Sequence, residues 1–329
     1  MIPDLLNAFS VATAAMPRQH WVRPYTPPAS GDTHQFVLFL KPEITAVHDG
    51  VNLEAVLSLV LDRLAHFGVD IHAARALPAE YLERYSIMDQ HYGVINRISK
   101  SGPEALTEAA AAKLESHFAR ELAEGARVLG GHQFLLENPE ISPLALSALN
   151  DNIGTTKLGG GSYAMRLNVL GHRYVLLNPF HAYQLVPYTT PGRAILVLEG
   201  RSPQDWATLR GGLTGATNPA KAAEGSIRAS LLANKDALGL RDVNQGLNGI
   251  HLSAGPLEGM VELKRFFSDH GKGRELKWSD LAFGQALLQQ GLDPEVLAGN
   301  PDLNINGQNV SAFDLTEEIN AREALERLI

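Results

Sequence analysis

The stretch FVLFLKPE (36–43) runs five apolar residues together and then stops at lysine and proline. A short unbroken apolar run bounded in this way predicts a strand buried on both faces. Proline has no N–H to give to a ladder, so the strand ends at Lys41, whose ammonium emerges at the edge of the sheet. Working outward, GVNLEAVLSLVLDRLAHFG (50–68) repeats apolar residues at helical spacing and closes on a glycine, the pattern of a helix with its C-terminal stop. VDIHAARAL (69–77) reads as a second strand, and PAEYLERY (78–85) opens a short helix, with proline in its first turn and glutamates nearby. Strand character returns at AILVLEG (194–200). A helix from about Ser202 to Arg210, the glycine-rich RGGLTGATNP (210–219), a helix around Ile227–Leu232, a strand in GLNGIHL (246–252) and a helical stretch over 253–267 follow. Strands and helices alternating over short connections predict an α/β sandwich, while periodicity leaves strand direction open.

The middle and the tail read differently. PEALTEAAAAKLESHFARELAEGARVLGG (103–131) predicts one amphipathic helix ended by glycines, with Leu106, Ala110, Leu114, Phe118 and Leu122 on its apolar stripe. SYAMRLNVLGHRYVLLN (162–178) predicts a hairpin turning at Gly171, and GTTKLGGGSY (154–163) a turn leading into it. RPYTPPASG (23–31) reads as a linker or strap. From Lys272 onward two or three helices are expected, including LTEEINAREALERLI (315–329), with Leu325 and Leu328 packing.

The 329 residues, 45% of them hydrophobic, can bury a large core. With 28 basic against 36 acidic residues the chain lacks the basic footprint of a nucleic-acid binder or a membrane-surface helix, so a small anion needs a local positive pocket. The absence of cysteine excludes disulfides, thiolate nucleophiles and cysteine zinc sites. No run reaches the roughly 18 apolar residues of a membrane span, and MIPDLLNAFSVATAAM carries Asp4 where a secretory signal is basic. The expectation is a cytoplasmic protein with neither nucleic-acid nor membrane partners.

Histidines are the reactive groups to weigh, and most histidines in strands are ordinary packed residues. His66 with His72, and His172 with His181, lack the spacing that aims two rings at one metal, so no metal site is expected. In GTTKLGGGSY, Lys157 precedes the glycines and leucine follows it, unlike a phosphate loop. Lys41 and Arg228 could hold phosphate, and Thr217, Asn248 and Ser253 surround His251 with polar groups if the strands converge.

These blocks resemble the nucleoside diphosphate kinases. FVLFLKPE is similar to that family's opening strand ending in Lys-Pro-Asp, AILVLEG to its strand ending in Glu-Gly, GATNPAKAAEGSIR to its TNPA…PGTIR block, and NGIHLSAGPLEGMVEL (248–263) to its Asn-x-x-His-Gly-Ser…Glu block. The resemblance spans roughly half of the chain by pattern. It implies an α+β fold, a ferredoxin-like sandwich with an antiparallel central sheet. The core would be 35–95 with 188–268, preceded by an extension at 1–34, interrupted by a subdomain at 96–187 and followed by helices at 269–329. It further implies transfer of the γ-phosphate of a nucleoside triphosphate through phospho-His251 to a diphosphate, with Glu262 orienting the ring and Ser253 supporting it. Lys41, Arg210, Thr217 and Arg228 would hold phosphates, Asn248 the sugar and nearby phosphate, and Tyr92 would stack on the base. Mg2+ would be bound through the phosphates, in a homo-oligomer such as a dimer. The pattern departs at Leu252 and Ala254, where the family has glycine and aspartate, and at Gly211, which leaves Arg210 one place off. Two alternatives follow: the same chemistry with another small acceptor, or a silent nucleotide-binding module.

Overall fold

The computed structural model describes residues 1–29, 33–169, 171–305 and 307–329. The chain divides into two compact units, Met1–Ile87 with Tyr188–Ile329, and Met88–Pro187. The second unit thus opens earlier than the expected 96.

The first unit is built on five strands: β1 (His20–Arg23), β2 (His34–Leu40), β3 (Asp70–Pro78), β4 (Ala194–Ser202) and β5 (Ile250–Leu252). They lie in the order β1-β3-β4-β2-β5, and every neighbouring pair is antiparallel. This unit is therefore α+β with an antiparallel sheet, which settles the strand direction that periodicity left open. Four helices matter for the site: α1 (Ile2–Ala12), α2 (Leu53–His66), α3 (Ile227–Ala233) and α4 (Pro256–Phe267). Asn52 caps α2 by accepting the Ala55 N–H at 3.1 Å, and Gly68, at φ 63, lets the chain turn after it.

Alternation along β2 sorts the two faces. Phe36, Leu38 and Leu40 point into one core with Leu5 and Phe9 of α1, Val56 and Val60 of α2, and Leu231 of α3. Val37 and Phe39, equally buried, point to the other face, which α4 covers. This is why FVLFL carries no polar alternation. The strap after β1 supplies Tyr25, whose hydroxyl donates to the Asp280 carbonyl at 2.7 Å; Ser30 and Gly31 of that stretch lie outside the described residues. The outer strand was not foreseen: β1, four residues long and half-buried, has too little apolar content to stand out.

In the second unit the helix expected over 103–131 is broken into Glu108–His117 and Ala119–Ala123, followed by a strand at Arg127–Gly130. The stripe itself is as read: Ala110, Leu114 and Phe118 are buried together with Leu158, Val175 and Leu177. What ends the helix is Gly125 at φ 80, after which 127–130 pairs in parallel with His172–Leu177. The hairpin Ser162–Val169/His172–Leu177 turns through Gly171 at φ 77. The turn expected at 154–163 instead contains a further strand, Thr156–Gly159, paired with the hairpin. The tail holds helices Ala282–Gln289, Pro294–Ala298, Ala312–Thr316 and Ala321–Leu328, and an unforeseen hairpin, Asp302–Ile305 with Gln308–Ser311. The helix expected from Ser202 begins later, because β4 continues through Ser202 and a π-helical turn occupies Thr208–Thr214.

Leu38 is 1% exposed between β4 and β5 on the core face. Leu38→Ala is expected to cost about 2–5 kcal/mol of stability, read as a lower urea midpoint with an unchanged slope.

Candidate active site

His251 sits on β5, a three-residue edge strand registered against β2 so that Phe39 lies opposite it. The two rings stack at 4.7 Å between centroids, 20° from parallel, and fix the imidazole plane. Gly249, just before the strand, takes φ 79, and a β-carbon there would come within 2.5 Å of Leu231 Cδ1. The close turn seats β5 against α3.

His251 Nε2 lies 2.8 Å from Oε1 of Glu262, a fully buried carboxylate on α4. The other Glu262 oxygen accepts the Ser253 hydroxyl, and the Ser253 oxygen accepts the Val37 N–H at 3.0 Å. A backbone amide of β2 thus sets the serine, the serine sets the carboxylate, and the carboxylate sets the ring. A neutral imidazole that keeps its hydrogen on Nε2, the nitrogen beside the carboxylate, carries its lone pair on Nδ1. The side chain is 18% exposed, so solvent and small solutes can reach it. Burial pushes the imidazole below its usual range; Glu262 opposes this, while Arg210 and Lys41 add to it. One turn earlier, Glu258 is held well above the usual carboxylate range, first by burial and then by the Glu262 charge.

The cationic residues gather on the adjoining side. Lys41 Nζ donates to Asn248 Oδ1 at 2.7 Å, and Asn248 Nδ2 donates to the Thr217 carbonyl at 3.2 Å. Burial lowers the Lys41 ammonium from its ordinary range; Glu43 opposes the shift and Arg228 adds to it. Ile250 and Leu252 turn their carbonyls off the free edge of β5. Arg228 Nη2 donates to the first at 3.0 Å and Arg210 Nη1 to the second at 2.8 Å. The two guanidiniums therefore bracket His251. They also line an open cleft of about 340 Å³ with Gly211, Thr217, Lys221 and Glu318. His251 is not among the lining residues; the two arginine-to-carbonyl hydrogen bonds link it to that wall.

Of the residues expected from sequence, His251, Glu262 and Ser253 come together as one set, the first two by ion-pair distance and the last two by a hydrogen bond, and Lys41, Asn248 and Thr217 form a second set, flanked by Arg210 and Arg228. Tyr92 falls in the second unit, its ring edge-on to His91 at 4.6 Å and to His181 at 6.0 Å. Leu252 and Ala254 alter the pattern less than their positions suggest. The Leu252 side chain alternates away from the ring into the main core, and Ala254 uses its backbone, accepting the Glu318 N–H at 2.9 Å. Lys221 and Glu318 were not anticipated. Lys221 stood inside a quoted block at a position with no assigned role, and Glu318 lies a long way along the chain in the tail.

No family model matches the chain, and no curated protein matches it. Among solved structures it is similar to an NDP kinase from Pyrobaculum aerophilum, with a TM-score of 0.34 and 18% identity over 72% of this chain and 97% of that one.

Because the Glu262 charge favours the imidazolium, Glu262→Gln is expected to lower the His251 pKa further. A histidine NMR titration of the native chain and the variant reads this directly; an unchanged or higher value in the variant would contradict the pairing.

Proposed function

We propose that the protein is a phosphotransferase that moves the γ-phosphate of a nucleoside triphosphate through a phosphohistidine at His251 to a nucleoside diphosphate. One observation supports this above the rest: an imidazole whose Nε2 is tied to a buried carboxylate, leaving the lone pair on Nδ1, bracketed by two arginines that also line an anion-sized cleft. The order β2–α2–β3 and β4–α3–β5, with both helices in one core, supports reading the first unit as a ferredoxin-like sandwich interrupted between β3 and β4.

In this reading Nδ1 attacks the γ-phosphorus of a nucleotide that arrives with its Mg2+. The new N–P bond forms as the bond to the β–γ bridging oxygen breaks, and the electron pair leaves on the diphosphate. The ring gains positive charge as it bonds, and Glu262 stabilises that charge through Nε2–H. Arg210, Arg228 and Lys41 neutralise the charge that spreads over the transferred group and its leaving oxygen. A second diphosphate then attacks phosphorus from the same side, and the lone pair returns to Nδ1. Thr217 and Asn248 hold the phosphates and sugar.

Incubation with γ-labelled ATP and Mg2+ is expected to yield an acid-labile, alkali-stable label that His251→Ala abolishes and a diphosphate discharges. Arg228→Gln should slow labelling on the order of 10²-fold. Nucleotide binding without any label would sink the transfer reading in favour of a silent module, and discharge only to a non-nucleotide compound would redirect it to another acceptor.

A further inference from the structure

The tail places a carboxylate against one of the cleft's own cations. Glu318 follows the helix Ala312–Thr316 and takes φ 58, a left-handed conformation that a residue with a β-carbon seldom adopts. Its neighbours hold it there. The Glu318 N–H donates to the Ala254 carbonyl at 2.9 Å, and the Thr316 carbonyl passes so near Gly255 that a β-carbon on Gly255 would lie 2.2 Å from it. Beyond it, Asn320 accepts the Trp206 N–H at 2.9 Å and donates to Asp205 at 2.7 Å. Pinned on both sides, the segment directs Glu318 Oε1 to within 3.5 Å of Arg210 Nε. Among the described residues that line the cleft, Glu318 is the one carboxylate, facing Arg210, Lys221 and Arg228.

We infer that Glu318 is a specificity-determining residue of this cleft: an internal anion that competes with ligand phosphate for Arg210 and selects the divalent-cation complex of a polyphosphate over the bare form. The inference rests on the reading of the cleft as a phosphate site. A bare polyphosphate must share Arg210 with a fixed negative charge and is repelled by it. A polyphosphate carrying a divalent cation presents less net charge and meets less repulsion. The strained backbone and the two anchors mean that the carboxylate cannot simply swing clear with its segment. Its side chain is 54% exposed, so the effect is screened and modest rather than decisive.

The test is calorimetric titration with inorganic pyrophosphate, first with chelator and then with excess Mg2+, at low ionic strength. The proteins are the native chain, Glu318→Gln, Arg210→Gln and the double variant. Glu318→Gln is expected to bind bare pyrophosphate about two- to five-fold more tightly. The gain should be smaller for the Mg2+ complex, and should vanish when Arg210 is already replaced. Glu318→Gly, which suits the left-handed backbone and also deletes the charge, should shift affinity the same way and guards against a folding artefact. Native binding that neither Glu318 variant changes, or that both weaken, overturns the inference and leaves the phosphotransferase reading intact. Equal gains for the bare and Mg2+ forms, or a gain that persists without Arg210, also overturn it. Absence of binding by every protein overturns both.

Discussion

The Glu262 carboxylate is the interaction on which the rest of the site depends. It is fully buried on α4, and an isolated ionised carboxylate in such a place would cost several kcal/mol. It survives there because its two oxygens meet His251 on β5 and Ser253 just past that strand, and Ser253 is itself set by the Val37 amide of β2. The same bonds that satisfy the charge join α4 to both strands. Trp206 adds a further tie, its indole N–H donating to the Ser253 carbonyl at 3.2 Å. Removing Glu262 would therefore release the ring and leave Ser253 with one partner fewer, so the position couples packing to chemistry.

The edge position of β5 imposes a second constraint. A short edge strand exposes carbonyls that want donors, and an unprotected edge invites pairing with other chains. Here Arg210 and Arg228 supply the donors, Arg228 donating to the Gly215 carbonyl as well at 2.8 Å, and both residues line the cleft. Each guanidinium has several N–H groups in a planar fork, so holding a carbonyl does not exhaust it. Lysine could not do both in the same geometry. The residues that protect the sheet edge are thus the ones that make the cleft cationic, in a chain whose net charge is -8.

The parts that were legible in the sequence are those whose signal is local. FVLFL, the helix closed by Gly68 and the Gly171 turn each declare themselves within a dozen or so residues, because burial period and helix stops act over that range, whereas the pairing of His251 with Glu262 was implied only by the family resemblance. The parts that were not legible depend on distant partners. The strand at 127–130 exists because His172–Leu177 is there to pair with it, and the sequence around it reads as the end of a helix. β1 is half-buried and short, held by pairing with β3 rather than by its own pattern. Glu318 reaches Arg210 only through the fold of the tail, and nothing within its own segment, TEEIN, marks it apart from the glutamate beside it. Leu252 shows the same limit from the other direction. Its bulk beside the histidine is a concern only until the alternation of β5 sends it into the opposite core.

In the proposed transfer, a histidine that attacks phosphorus must be neutral beforehand and comfortable with positive charge afterwards, and these demands pull its surroundings in opposite directions. Burial, Arg210 and Lys41 keep the free ring neutral, while Glu262 alone favours the cation. A second ionised carboxylate nearby would tip that balance toward the imidazolium and remove the lone pair. Glu258, one turn before Glu262 on α4, is held toward its neutral form by burial and then by the Glu262 charge. In the proposed transfer Glu262 is the carboxylate that receives the developing imidazolium, while burial, Arg210 and Lys41 oppose that charge on the free ring.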